Sequence, residues 1–370
     1  MQHSDTQRRP GATADVTPRK SSRLLHPSRR AFLGGASGLG AFLAAPAVLR
    51  RAMAAPPEIR YSTGGGIGPN EMETVIFLDW MRANVLKRHG KDYTLTMTFA
   101  RSTAEAATLM AAGQVDIATL ATPILASAIL KNAIPDGAKV ICSIYDDGVP
   151  GYAANAYFVP EDSPIKSIAD LKGKKVAVNA YGTIVDLPLR ILLKKTGLDP
   201  KTDVQIVEIA FPAIGTAIRE KRVDCGVLVL PFMAAEKAKG GLRPIARAVE
   251  AFPGPYATIY QAARNEFLAK NPAAVKAFLD DYVTGLNWFY QPANRAKAIE
   301  ITAALTKSPA SALETYFLLD NNDYYRDRGG CLTAASLQSV ADAMVSEGLL
   351  PGSVDMSKQL DLSYLPGRCA

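Results

Sequence analysis

The sequence predicts an α/β protein of two similar lobes, each built on a sheet with a parallel core and flanking helices, and three observations carry that prediction. A nine-residue pattern occurs twice, as Val115-Asp116-Ile117-Ala118-Thr119-Leu120-Ala121-Thr122-Pro123 and Val223-Asp224-Cys225-Gly226-Val227-Leu228-Val229-Leu230-Pro231, with Val, Asp, Leu and Pro at the same offsets. A helix-like segment precedes each copy, and upstream of each stands a strand-like run that enters a glycine-bearing turn. Strand, turn, helix, turn and buried strand make one parallel α/β unit, so the chain reads as two of them.

The first lobe opens with Ile59-Arg60-Tyr61-Ser62-Thr63, a strand running into Gly64-Gly65-Gly66. A helix is expected next, from the apolar stripe at Met72, Val75, Ile76, Trp80, Ala83 and Leu86. Ser102 and Glu105 form a capping box that starts a second helix, and Gly113 stops it before the first copy of the repeat. Pro123 suits the first turn of the helix that follows. The second lobe repeats the plan with the strand Lys175-Val176-Ala177-Val178-Asn179, the turn Tyr181-Gly182-Thr183 and a helix from Leu187 to Thr196. A helix over 211–222 leads into the second copy, which again ends at a proline, Pro231. Asp116 and Asp224 are expected to satisfy backbone N–H groups at the strand starts.

The chain leaves the first lobe through 151–159 and returns through 243–249, and two such crossings let the lobes hinge about a crevice. Asn271-Pro272, Gln291-Pro292 and Ser308-Pro309 each read as a cap followed by Pro at a first helical position, so 265–349 is expected to be mostly helical and to pack on the first lobe. The expected layout is a leader over 1–54, lobe one over 55–152 and again over 246–370, and lobe two over 153–245.

The leader is read from Ser28-Arg29-Arg30-Ala31-Phe32-Leu33, a charged pair entering an uncharged Gly- and Ala-rich stretch that ends at Leu49. The arginine pair resembles the twin-arginine export motif. Ala52-Met53-Ala54 places cleavage after Ala54 and the mature protein in the periplasm, with the twin-arginine translocase as partner during export. The leader also explains the charge. Residues 1–54 carry nine of the 42 Lys and Arg but two of the 35 Asp and Glu, so the rest of the chain holds 33 of each and its formal charge is zero. The net +7 therefore says nothing for nucleic acid or a membrane surface.

Several chemistries are poorly supported. Cys142, Cys225, Cys331 and Cys369 are widely spaced and offer no C-x-x-C pairing. The first two sit in apolar strand-like runs; Cys331 and Cys369 are either free or joined as a disulfide in an oxidising compartment. His89 is the one histidine after residue 54, in a loop signature, and neither G-x-S-x-G nor H-E-x-x-H occurs. Glycines 64–66 and 68 have the wrong spacing for a dinucleotide fingerprint. No enzyme, metal or cofactor is expected.

Ligands of α/β sheets gather beyond the carboxyl ends of strands, where turns and helix starts present free N–H groups. That points to Thr63, Gly64 and Gly65, to Thr122, to Tyr181, Gly182 and Thr183, and to Pro231 and Phe232. Gly182 and Thr183 are the leading candidates for holding an oxyanion, with Thr63 and Thr122 their counterparts in lobe one. Tyr152, at the first crossing, is either core packing or a crevice wall.

The run Ser163-Pro164-Ile165-Lys166-Ser167-Ile168-Ala169-Asp170-Leu171-Lys172-Gly173-Lys174-Lys175-Val176-Ala177-Val178 resembles periplasmic solute-binding proteins of the nitrate/sulfonate/taurine class, including the aliphatic sulfonate-like and NMT1/THI5-like members. Gly197-Leu198-Asp199-Pro200, Gly113-Gln114-Val115-Asp116-Ile117-Ala118 and Asn271-Pro272 fit the same pattern, and the likeness spans most of 57–365. It implies a two-lobed periplasmic binding protein fold of type II, monomeric, that closes on a small ligand and delivers it to the permease subunits of an ABC importer. The turn Asn179-Ala180-Tyr181-Gly182-Thr183-Ile184 departs from the Gly- or Ser-rich form common in that class. The ligand is therefore left between small oxyanions such as alkanesulfonates and a larger aromatic or carboxylated compound. A pyrimidine-binding protein, a related enzyme and a ligand sensor for a membrane receptor are the alternatives.

Overall fold

A computed structural model describes residues 55–367 and 369 of the chain. The leader, its arginine pair and the cleavage point after Ala54 lie outside the described residues. Residues 54–370 form one compact unit, and no helix among the described residues is long and apolar enough to cross a membrane.

Ten strands are present among the described residues: β1 (Glu58–Thr63), β2 (Thr94–Phe99), β3 (Ile117–Leu120), β4 (Ala138–Asp147), β5 (Ala156–Pro160), β6 (Lys175–Val178), β7 (Gln205–Glu208), β8 (Cys225–Leu228), β9 (Leu242–Arg247) and β10 (Tyr256–Arg264). They form two five-stranded sheets, in the orders β2-β1-β3-β10-β4 and β7-β6-β8-β5-β9. β1 pairs in parallel with β2 and β3, and β6 with β7 and β8. β10 runs antiparallel to β3 and β4, and β5 antiparallel to β8 and β9. Both sheets are thus mixed, a three-strand parallel core joined by one reversed strand. The reversal has a simple cause. β5 and β10 are the first strands laid down after each crossing, so they enter their sheets from the crevice end.

The repeat occupies equivalent places in the two sheets. β3 and β8 are buried at every residue, as central strands covered on both faces must be. Asp116 accepts the Arg60 backbone N–H at 3.1 Å, and Asp224 accepts that of Lys175 at 2.8 Å. In return, the Asp116 and Asp224 N–H groups donate to the carbonyls of the same two residues at 2.7 and 2.8 Å. Each aspartate clamps the first parallel strand of its lobe to the repeat strand. Asp116 also binds the Arg60 guanidinium at 2.6 Å and that of Arg264 at 3.2 Å.

The helix expected after the glycine turn is broken in two, Met72–Ile76 and Asp79–Asn84. Tertiary packing overrides the stripe: Phe77 stacks on Phe278 at 4.9 Å, and Leu78 turns extended. Gly285, on the long helix Pro272–Phe289, permits the approach, because a Cβ there would stand 2.5 Å from Ile76 Cγ2. Pro272 and Pro292 open helical segments, and Pro309 caps the short helix Ala310–Glu314.

Cys331 and Cys369 form a disulfide, with Cα atoms 5.6 Å apart and a sequence separation of 38 residues. Cys142 and Cys225 are free and buried. Closing a loop of that length restricts the unfolded chain, so the double variant Cys331→Ser/Cys369→Ser is expected to lose about 3 kcal/mol. Urea midpoints of the oxidised wild type and the variant check this; coincident curves contradict it.

Candidate ligand crevice

The carboxyl ends of the parallel strands from both sheets face one cavity of ≈ 180 Å³. Lobe one supplies Gly64 and Gly65, the loop from Ile67 to Glu71, and Thr103. Lobe two supplies Asn179 and Thr183 to Val185 after β6, Phe211 after β7, and Val229 to Phe232 after β8. Tyr145 of β4, Asn155 of the first crossing and Ile259 of β10 also line it, with Thr306, the last residue of the helix Arg295–Thr306, and Ser308 just beyond.

The glycine turn of lobe one is built for close approach. A Cβ on Gly64 would lie 2.7 Å from the Thr119 carbonyl oxygen, and one on Gly65 would lie 2.6 Å from Glu71 Oε1. Glu71 lies against this turn and faces Glu73. Burial raises the Glu71 carboxyl well above its ordinary pKa, and the neighbouring Glu73 raises it further. Burial raises Glu73 as well. Glu73 is anchored from behind by the Thr119 hydroxyl at 2.5 Å, which in turn meets the Tyr61 hydroxyl at 2.8 Å.

The turn of lobe two also meets a carboxyl. Asp186, at the start of the helix Asp186–Lys195, accepts the Gly182 N–H at 2.7 Å and the Arg190 Nε–H at 2.8 Å. The Thr183 hydroxyl donates to Ala180 or Asn179, at 2.9 and 3.1 Å. In both lobes a side-chain carboxyl thus packs against the glycine turn, and in lobe two it takes the Gly182 N–H.

The lobes touch across the mouth, where the Asn70 Nδ2–H donates to the Leu230 carbonyl. The Leu230 N–H donates to the Tyr324 hydroxyl at 3.0 Å, and that hydroxyl donates to Asn155 Oδ1. Tyr324 stacks on Tyr145 at 4.5 Å. Behind this lies Asp147, fully buried, which accepts the Asn155 N–H at 3.2 Å and the Tyr256 hydroxyl at 3.2 Å. One carboxyl thereby ties the exit of β4 to the starts of β5 and β10. Desolvation pushes its pKa up to about 7, and does the same for Asp146.

Of the residues singled out in the sequence, Gly64, Gly65, Thr183, Pro231 and Phe232 line the cavity. Thr63 and Thr122 are fully buried outside its lining. Tyr181 is half exposed and donates its hydroxyl to the Ile206 carbonyl at 2.9 Å, and Gly182 stands beside it with its N–H taken. Tyr152 packs edge-on against Tyr325 at 5.2 Å and lines a separate cavity of ≈ 590 Å³ against the first crossing. The cavity is also lined by Asn70, Glu71, Tyr145, Asn155, Asn179 and Phe211, none of them among the sequence-predicted site residues. Asn179 and Phe211 were reachable, since each follows a parallel strand; Tyr145 and Asn155 depend on the crossing and carry no local signal.

Residues 81–303 match the NMT1-like family. A Brucella abortus (strain 2308) protein that bears the name of a binding protein is 30% identical over 192 residues, 52% of this chain and 56% of that one. An Escherichia coli K12 protein named for binding aliphatic sulfonates is 27% identical over 212 residues, 57% of this chain and 64% of that one. The chain therefore matches a little over half the length of these curated relatives. Among solved structures, the alkanesulfonate-binding protein SsuA of Xanthomonas axonopodis pv. citri, bound to MOPS, superposes with a TM-score of 0.64 at 17% identity, over 83% of this chain and 99% of that one. That likeness establishes the two-lobed binding-protein fold.

Proposed function

The chain belongs to the NMT1-like family, and from that premise we propose that it is the substrate-binding component of an ABC-type importer. It captures a small organic compound between its lobes in the periplasm and hands it to a membrane permease, and it works as a carrier rather than a catalyst. The ligand class carried forward is the small organic anion, sulfonate-like or aromatic and carboxylated, in keeping with a sulfonate-binding relative and structural neighbour. Export through the twin-arginine leader, removal of residues 1–54 and a monomeric state complete the reading.

One observation carries it: a single cavity walled by the strand ends of both lobes, beside a two-strand crossing, with the Asn70–Leu230 hydrogen bond spanning its mouth. A site shared between two hinged bodies gains contacts only when they close, which is how a ligand is coupled to a shape that a partner can sense. At a ligand concentration of about a hundred times Kd, mass action is expected to stabilise the protein by about 2.7 kcal/mol. Thermal unfolding with a panel of sulfonates, carboxylates and aromatic acids, paired with small-angle scattering for closure, checks this. A folded protein that none of them stabilises or compacts does not carry such a ligand.

A further inference from the structure

We infer that the crevice selects a single-ring aromatic or heteroaromatic compound that carries a hydrogen-bond donor, held by asparagine amides and phenyl faces, and that it discriminates against small bare oxyanions. The inference deepens the carrier reading and rests on it.

Small oxyanions need free backbone N–H groups at helix starts or cationic side chains. Of the two glycine turns that would supply N–H groups, that of lobe two is closed from within by Asp186, and that of lobe one is packed against the Glu71 carboxyl, whose Oε1 would lie 2.6 Å from a Cβ on Gly65. Arg190 is held on Asp186 at 2.8 Å, and Arg101 is exposed and pairs with Glu105 at 3.3 Å. No Lys, Arg or His among the described residues lines the cavity, and Glu71 is the one carboxylic acid in its wall. An ionised Glu71 repels an anion, and a protonated one offers it a single O–H.

The wall offers neutral amides instead, one from each part of the structure: Asn70 in lobe one, Asn155 at the crossing, Asn179 in lobe two. Asn70 is nine-tenths buried, and with Nδ2 given to Leu230 its Oδ1 has no partner among the described residues. A buried carbonyl left unpaired is destabilising, so this one calls for an N–H or O–H on the ligand. Asn155 accepts from Tyr324 and Asn179 accepts from Thr183, both through Oδ1. The Nδ2 group of Asn179 has no acceptor among the described residues and is left for the ligand. The apolar share of the wall is largely aliphatic, from Ile67, Ile184, Val185, Val229, Leu230 and Ile259, and two phenyl rings stand in it, Phe211 and Phe232, 6.4 Å apart and 19° from parallel. A cavity of ≈ 180 Å³ is close to the ~150 Å³ that accommodates benzene in an engineered protein core, so one substituted ring fills it. Because the Asn70 amide reaches both ligand and Leu230, the donor it reads is read together with closure.

The test is calorimetric titration of the purified protein with nitrate, ethanesulfonate, benzoate, 4-aminobenzoate and 4-hydroxybenzamide. The two donor-bearing rings are expected to bind at least about tenfold tighter than nitrate and ethanesulfonate, a difference of ~1.4 kcal/mol. Asn70→Ala is expected to erase the preference for 4-aminobenzoate over benzoate. Phe232→Leu, which keeps an apolar side chain, is expected to weaken every ring while leaving the unliganded melting temperature near wild type. Nitrate or ethanesulfonate binding as tightly as the rings overturns the ligand class and leaves the carrier reading standing, as does ring affinity unmoved by both variants. A folded protein that binds neither class overturns the carrier reading and the inference with it.

Discussion

Asp116→Ala is expected to destabilise the protein by about 3–5 kcal/mol, the cost of removing one partner from a buried charge cluster. The side chain is 4% exposed and engages three groups at once: the Arg60 backbone N–H and the guanidiniums of Arg60 and Arg264. Burial alone would raise its pKa. The Arg60 hydrogen bonds, with the Arg60 charge and Arg264, outweigh that and hold it below the ordinary value. Truncation leaves Arg264, whose side chain is 15% exposed, with only the longer pair to Glu266 at 3.5 Å, and removes the side-chain clamp between β1 and the repeat strand. The counterpart Asp224 accepts the same kind of backbone N–H at 2.8 Å but pairs with no arginine. Asp224→Ala should therefore cost only about 1 kcal/mol, the worth of an ordinary hydrogen bond. Urea unfolding of the two variants separates the contributions, and equal losses would show that the arginines add nothing.

Stability is expected to fall as the pH rises from about 5 to about 8, the reverse of a protein held by paired carboxylates. Asp147 and Asp146 have native pKa values of about 7 against an ordinary 3.8, chiefly through desolvation. An acid with a raised native pKa holds its proton more tightly when folded. Its contribution is complete below the unfolded value and is lost progressively up to the native one. For the fully buried Asp147 that loss is about 1.4 kcal/mol per pH unit, or about 3 kcal/mol between pH 5 and pH 7. The Glu71–Glu73 pair acts in the same direction. Asp116, Glu236 and the other depressed acids do not offset it, because theirs is stability lost only below the ordinary carboxylate range. Urea unfolding across this window tests the slope, and Asp147→Asn should flatten it by one proton. Equal or greater stability at pH 8 would contradict the assignment.

Much of the architecture is legible before any coordinates. The repeated Val-Asp-x-x-x-Leu-x-x-Pro marks the central strand of each sheet, because a strand covered on both faces must be apolar and must start and stop sharply. The reversal of β5 and β10 is not legible, since side-chain alternation is the same in either direction. Nor is the break at Phe77, which Phe278 imposes from two hundred residues away. The crevice divides similarly. Gly64, Gly65, Thr183, Pro231 and Phe232 follow strand ends and can be found by that rule. Asn70 and Glu71 come several residues later, and the role of Glu71 in filling the glycine turn depends on the fold bringing it back onto Gly64.

The two crossings also fix an order of assembly. All five strands of the second sheet come from 156–247, one unbroken stretch, whereas the first sheet needs 58–147 and then 256–264. Lobe two is an insertion nested inside lobe one, and β4 joins its sheet only through β10. On a chain emerging from the ribosome, the inserted lobe has every strand it requires while β4 still waits for its neighbour. Slow, long-range closure is thereby concentrated in the outer lobe, where loop entropy must be met before any pairing rewards it.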